Sequence, residues 1–303
     1  MPRIFYGPYG ENNSTYANSG NANLGRWELG SYLILPDQRK YAFALNDGTV
    51  EVAGDLYQSV AGVSGHTNRP VDVVRAIGAV VLSGTLTTTA AADDIYAEGL
   101  AHINAAPAEG YSYRIRRANT VEAANADAVA SGVLTVNLQA GETVQVALTT
   151  ASNISFTRNR FHQVLLTAAP PTAGLAGVSP GVAAADRFYW SQVRGYAAVL
   201  ADGTLLEGLP VMASIGTAGA VENMKRRVRT GGTVTVVGTT AGRYPLTDQD
   251  GAIVVGVLSD LTTSGTNIDI SGGIAANSPL VGQCIKANAT AEIALIDLQL
   301  SAS

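Results

Sequence analysis

Residues that carry chemistry are scarce in this chain. Its 303 residues include one cysteine, Cys284, and three histidines, His66, His102 and His162. A single cysteine excludes an intrachain disulfide framework and any Cys-x-x-Cys pair. It fits a protein made in a reducing cytoplasm. Within Val281-Gly282-Gln283-Cys284-Ile285 it reads as a small buried apolar residue. The histidines stand far apart, with no His-Glu-x-x-His pattern, and no calcium loop or P-loop occurs. The adjacent carboxylates Asp93-Asp94 and the near pair Asp248 and Asp250 read as solvated turn residues rather than an acid/base pair. No metal, no cofactor and no enzymatic activity is expected.

Charge is also sparse. Asp, Glu, Lys and Arg make up 14% of the chain, against a hydrophobic share of 47%, which argues against disorder. The net charge is −5 and the pI about 5.2, a balance that disfavours a dedicated nucleic-acid binder. Long apolar runs are missing too. Met1–Gly7 lacks the core of a signal peptide, and no stretch reaches membrane-spanning length without polar interruption, so no membrane partner is expected. Ala76–Leu82 is apolar but short and reads as a buried strand. With 33 glycines, many Ala, Thr and Val, and few Lys, the composition points to short strands and turns, with little helix.

What is present is a repeat. Tyr41-Ala42-Phe43-Ala44-Leu45-Asn46-Asp47-Gly48-Thr49 returns as Tyr196-Ala197-Ala198-Val199-Leu200-Ala201-Asp202-Gly203-Thr204, 155 residues on (41 to 196, 49 to 204). In both copies an apolar run meets Asp-Gly and then Thr. Asp-Gly suits a tight hairpin turn, so Asp47-Gly48 and Asp202-Gly203 are expected to close two related hairpins. The fold class that follows is mainly β: two sandwich- or barrel-like units, of jelly-roll or tulip-like type, behind an extended N-terminal arm. The arm covers residues 1–30, the first β unit 31–169, a Pro/Gly linker 170–183 and the second β unit 184–303. Val133–Leu138 and Thr143–Leu148 alternate at period two and are expected to form a hairpin, and Val121–Ala130 a helical turn or two. Thr233–Val237, Ala252–Leu258 and Ile293–Leu300 read as further strands.

Two features suggest contact surfaces. The arm carries Tyr6, Tyr9, Tyr16 and Trp27, large anchors that a solvated tail rarely holds, so it is expected to order on a neighbouring subunit. Two basic groups, Arg114, Arg116 and Arg117, then Lys225, Arg226, Arg227 and Arg229, stand out in an acidic chain. They read equally as solvated strand ends and as contacts to an acidic protein surface.

The stretch Phe188-Tyr189-Trp190-Ser191-Gln192-Val193-Arg194-Gly195 with the repeat that follows it resembles virion structural proteins of tailed bacteriophages. So do Gly282–Leu298 and the segment from Ile95 to Ile115. The resemblance implies a capsid decoration (cement) protein, made in the host cytoplasm and bound to the outer face of the virion. Its partners would be the major capsid protein and itself, as a homo-oligomer with a trimer favoured. A major capsid protein, a tail or fibre component, and a carbohydrate-binding or hydrolytic β-sandwich are the alternatives. The absence of a long amphipathic helix counts against the first of these.

Overall fold

Along Ile293–Gln299 apolar residues alternate with others, and burial alternates with them, as a half-covered strand requires. The same bias recurs along the chain. The computed structural model is mainly β, with strands β1 to β18 and, among the described residues, two single-turn 3-10 helices. The structure describes residues 3–17, 27–87, 89–92, 94–105, 107–117, 132–224, 279–288 and 292–300. The chain falls into two units, Met1–Asn223 with Ser278–Ser303, and Met224–Asn277; apart from Met224, every described residue lies in the first. Val121–Ala130, Thr233–Val237 and Ala252–Leu258 lie outside the described residues.

The repeated motif is the visible end of a larger repeat. β4 (Lys40–Leu45), β5 (Leu56–Gln58), β12 (Leu165–Leu166), β13 (Leu175–Val178) and the first half of β14 (Arg187–Leu200) pair in the order β12-β5-β13-β14-β4. The second half of β14, β15 (Pro210–Ala213), β16 (Val221–Asn223), β17 (Leu280–Lys286) and β18 (Ile293–Gln299) pair in the corresponding order, β16-β15-β17-β18-β14. Parallel bridges, Asn46 to Val164 and Ala201 to Val221, join the outer strands of each set.

Backbone bonds fall at matching places. The Asp47 N–H donates to Val164 O and the Asp202 N–H to Val221 O. The Asn46 N–H donates to Arg187 O and the Ala201 N–H to Glu292 O. The Gly54 N–H donates to Ser179 O and the Gly208 N–H to Cys284 O. Two five-stranded modules therefore stand in tandem, and β14 is the last strand of one and the first of the other. The hand-over occurs at Gly195, with φ 82° and packed on Arg39, where pairing passes from β4 to β18. Leu175-Ala176-Gly177 and Leu280-Val281-Gly282 lie at the spacing that separates Ser179 from Cys284. A Cβ at Gly177 would collide with Ser191 and the Gln192 carbonyl, and one at Gly282 with the Asp297 carbonyl, so both glycines permit close strand approach.

Several expectations are corrected. Neither Asp-Gly closes a hairpin: the neighbours of β4 are β14 and β3 (Tyr32–Ile34). Gly203 is left-handed, with φ 79°, but Gly48 is not. Instead Asp47 Oδ1 accepts from the Thr49 N–H (2.8 Å) and hydroxyl, and Asp202 Oδ2 accepts from the Ser214 hydroxyl. These carboxylates turn the chain out of the strand and across each module towards β5 and β15. Residues 170–183 are no linker, because β13 lies within them, and β14 belongs to both modules rather than to a separate second unit.

Between β5 and β12 the chain inserts a separate β body. It holds the sheet β6 (Arg69–Pro70), β11 (Asn153–Thr157), β8 (Leu100–Ala105), β9 (Ser112–Arg114) and the pair β7 (Val81–Thr85), β10 (Val133–Asn137). Its own core includes Leu82, Ile103, Ile115, Val136, Ile154 and Phe156. Alternation along β10 is as expected, but its partner is β7, not Thr143–Leu148. The latter segment is claimed by residues 75–79: Val144 N–H donates to Ala79 O and Leu148 N–H to Arg75 O. Strand structure in the Ala76–Leu82 run begins only at Val81.

Candidate interaction surfaces

The leading segment packs on its own chain. β1 (Ile4–Tyr6) runs parallel to β3, and β2 (Tyr16–Ala17) pairs with the start of β14. Phe5, Tyr16 and Trp27 then lie over the outer face of the first module. Trp27 sits 5.3 Å from Phe43 and 5.1 Å from Trp190, ring centre to ring centre, and Tyr16 5.9 Å from Phe43. The Tyr16 hydroxyl donates to Glu11 Oε1 at 2.6 Å. Tyr16 and Trp27 therefore act within the chain rather than across a subunit seam. Tyr6 and Tyr9 differ: they are 82% and 62% exposed.

The first basic group is divided in the same way. Arg117 Nε lies 3.1 Å from Glu98 Oε1, and its Nη2 donates to Trp27 O at 3.0 Å. Arg114 lies 3.6 Å from Glu28. The Leu29 N–H donates to Glu98 Oε2 at 2.5 Å. Arg114 and Arg117 thus rivet the leading segment to the inserted body, while Arg116 is exposed. Burial pushes the Glu98 carboxyl up to about 7, against the Leu29 N–H and Arg117, which favour its charged form. A pocket of about 190 Å³ at this seam, lined by Arg3, Trp27, Glu28, Ser31 and Arg117, is smaller than a ligand cleft. Lys225, Arg226, Arg227 and Arg229 lie outside the described residues, as do Asp93, Asp248 and Asp250.

Groups with chemical potential are used for packing. His66 is buried, with Nδ1 at 2.5 Å from the Tyr96 hydroxyl and Nε2 at 2.9 Å from Thr89 O. His162 is buried, and burial, aided by Arg158, pushes it down to about 4. Cys284 lies in the core of the second module. The run Gly177-Val178-Ser179-Pro180-Gly181 fits the nucleophile-elbow pattern, a match that sequence reasoning missed. Ser179 nevertheless follows β13 with no helix after it, is buried, and donates its hydroxyl to Gly181 O at 2.6 Å. Among the described residues no group of His, Cys, Asp and Glu is placed to hold a metal ion.

One buried carboxyl had no sequence signal. Glu51 sits in the first module, bridged to Ala183 and 1% exposed. Tyr189 and Ser179 stand beside it, and burial pushes it up to about 8. Its burial in the folded chain is what marks it as unusual.

Two apolar surfaces are exposed among the described residues, the second of them touched at one end by the turn at Gly54. The first is a ridge on the inserted body: Val73, Val74, Ile77 and Val80 are all exposed, Ile77 by 69%. It is held stiffly. The Arg75 N–H donates to Leu148 O (3.0 Å), the Gly78 N–H to Val144 O (2.8 Å), and Arg75 Nη2 to Ser83 Oγ (2.9 Å). The second is the outer face of the second module. Tyr196 opposes Asp297, Ala198 opposes Leu295 and Leu200 opposes Ile293, so these side chains share one face. Tyr196 is 57% exposed, Ile293 38% and Leu295 36%.

Compared with known proteins, the chain matches no protein-family model, no curated protein and no solved structure.

Proposed function

We propose that this chain is a structural virion protein of a tailed bacteriophage, seated on the outer face of the capsid and cementing neighbouring capsomers without any bond-making step. The major capsid protein is its partner. The sequence resemblance lies in β14, which both modules share, in β17 and β18 of the second module, and in Ile95–Ile115 of the inserted body. The observation that carries the reading is the aliphatic ridge Val73, Val74, Ile77 and Val80: a broad apolar contact on a backbone held by bonds to residues 144 and 148. Covering such side chains contributes on the order of 1 kcal/mol each, and repetition over many copies adds up to shell stability.

The test uses purified heads lacking this protein. Wild-type chain should bind them to saturation at a fixed ratio to the capsid protein. The double variant Val74→Asp, Ile77→Asp should keep its melting temperature and bind roughly tenfold or more weakly. Equal occupancy by the variant, or no binding by wild type, overturns the reading.

A further inference from the structure

The two modules present the same face in opposite states. In the first, Leu45, Phe43 and Tyr41 oppose Phe188, Trp190 and Gln192. Their counterparts in the second are Leu200, Ala198 and Tyr196 opposite Ile293, Leu295 and Asp297. The first face is sealed, with Phe43 and Trp190 at 0% exposure. Its cover is the chain that precedes β4: Phe5, Tyr16 and Trp27 lie on the rings, and the Phe43 N–H donates to Ser31 O while the Gly30 N–H donates to Phe43 O. The second module has no such leader, because the residues before Tyr196 are the first half of β14 and already form a strand of the first module. Among the described residues the Ala198 N–H, the counterpart of the Phe43 N–H, has no partner.

The same chain carries an unused surface of the matching kind. β1 is the terminal strand of its sheet, paired on one side with β3. Ile4 and Tyr6 project from it into solvent, and Tyr9 follows in the turn beyond. Aromatic side chains from β1, from β2 and from Trp27 are what seal the first face. We infer that the second module's face receives the leading segment of a second copy, with Tyr6 and Tyr9 of one chain against Tyr196, Ile293 and Leu295 of the next. The contact pairs two different surfaces of the chain, so it closes reciprocally in a two-fold dimer or runs on head to tail, according to the geometry of the arm. This inference is independent of the virion reading.

Sedimentation velocity of the full chain over a wide concentration range tests it. Wild type self-associates. Leu295→Glu on one side, and Tyr6→Glu with Tyr9→Glu on the other, each weaken association roughly tenfold or more, with unchanged circular dichroism and melting temperature. Mixed together, the two variants form a heterodimer and nothing larger, since each retains the half that the other has lost. If Leu295→Glu impairs folding, Tyr196→Glu replaces it on the same face. A wild type that stays monomeric overturns the inference. So does a mixture without heterodimer, or association lost from the face variant alone, which would mean that the face meets some surface of the second copy other than Tyr6 and Tyr9.

Discussion

At the scale of single residues, the most consequential are three buried titratable groups. Glu51 and Glu98 hold their protons to about 8 and about 7, both because burial disfavours the carboxylate. In the unfolded chain each releases its proton near its ordinary value of 4.5. Their contribution is therefore fully present below about 4.5 and is lost as pH rises through the folded values. His162 has the opposite sign. Its folded value of about 4 lies below the ordinary 6.5, so its share is lost as pH falls between them. Two carboxyls outweigh one imidazole, and the protein is expected to melt at lower temperature at pH 8 than at pH 5. Glu51 accounts for up to about 4 kcal/mol of that difference. Glu51→Gln should flatten the slope across this window, as read by thermal melts in a buffer series; a slope of undiminished size in the variant assigns the effect elsewhere. Glu51 lacks any sequence signal because a glutamate in a run such as Val50-Glu51-Val52 has the alternation of a solvated strand position. Its burial comes from residues far along the chain: the bridge to Ala183 and the buried side chains of Tyr189 and Ser179.

At the scale of elements, the leading segment behaves as core. Trp27 is ringed by Phe5, Tyr16, Phe43 and Trp190, all at centroid distances of 5.1 to 5.3 Å. Trp27 is partly buried, so Trp27→Ala should cost about 2–3 kcal/mol, below the range of about 3–5 kcal/mol for a fully buried large aromatic, and lower the urea midpoint accordingly. An unchanged midpoint would return the segment to the status of a free arm. The sequence showed that these aromatics were anchors but not whose surface they anchor to, since cis and trans docking leave the same composition. Strand identity was readable wherever one face is covered, as along Val133–Asn137 and Ile293–Gln299, because burial imposes period two. Partners were not readable. β10 skips its neighbour in sequence to reach β7, and Asp47 redirects the chain by a carboxylate bond where a hairpin was expected. Pairing across an insertion leaves no periodic trace.

At the scale of the molecule, the plan is one module used twice and interrupted in different places. The repeat at Tyr41–Thr49 and Tyr196–Thr204 marks the first strand of each module. The rest was hidden because the first module breaks between β5 and β12, while the second joins the equivalent β15 and β16 through residues 214–220 alone. That contrast makes the inserted body dispensable for the modules. Its core is separate, and the hydrogen bonds that close the first module, from Asp47 to Val164 and from Leu45 to Phe161, fall outside residues 61–158. Replacing 61–158 with a loop as long as 214–220 should leave a β-type spectrum and one cooperative melt. The melting temperature should fall, because Glu98, Arg114 and Arg117 no longer hold the leading segment. The same variant lacks the ridge at Val73–Val80 and should no longer bind heads, yet it keeps Tyr6, Tyr9 and the Tyr196 face and should still self-associate. A chain that fails to fold would make the inserted body part of the module. A folded chain that binds heads undiminished would move the capsid contact off the ridge, so the two surfaces are separable in one molecule.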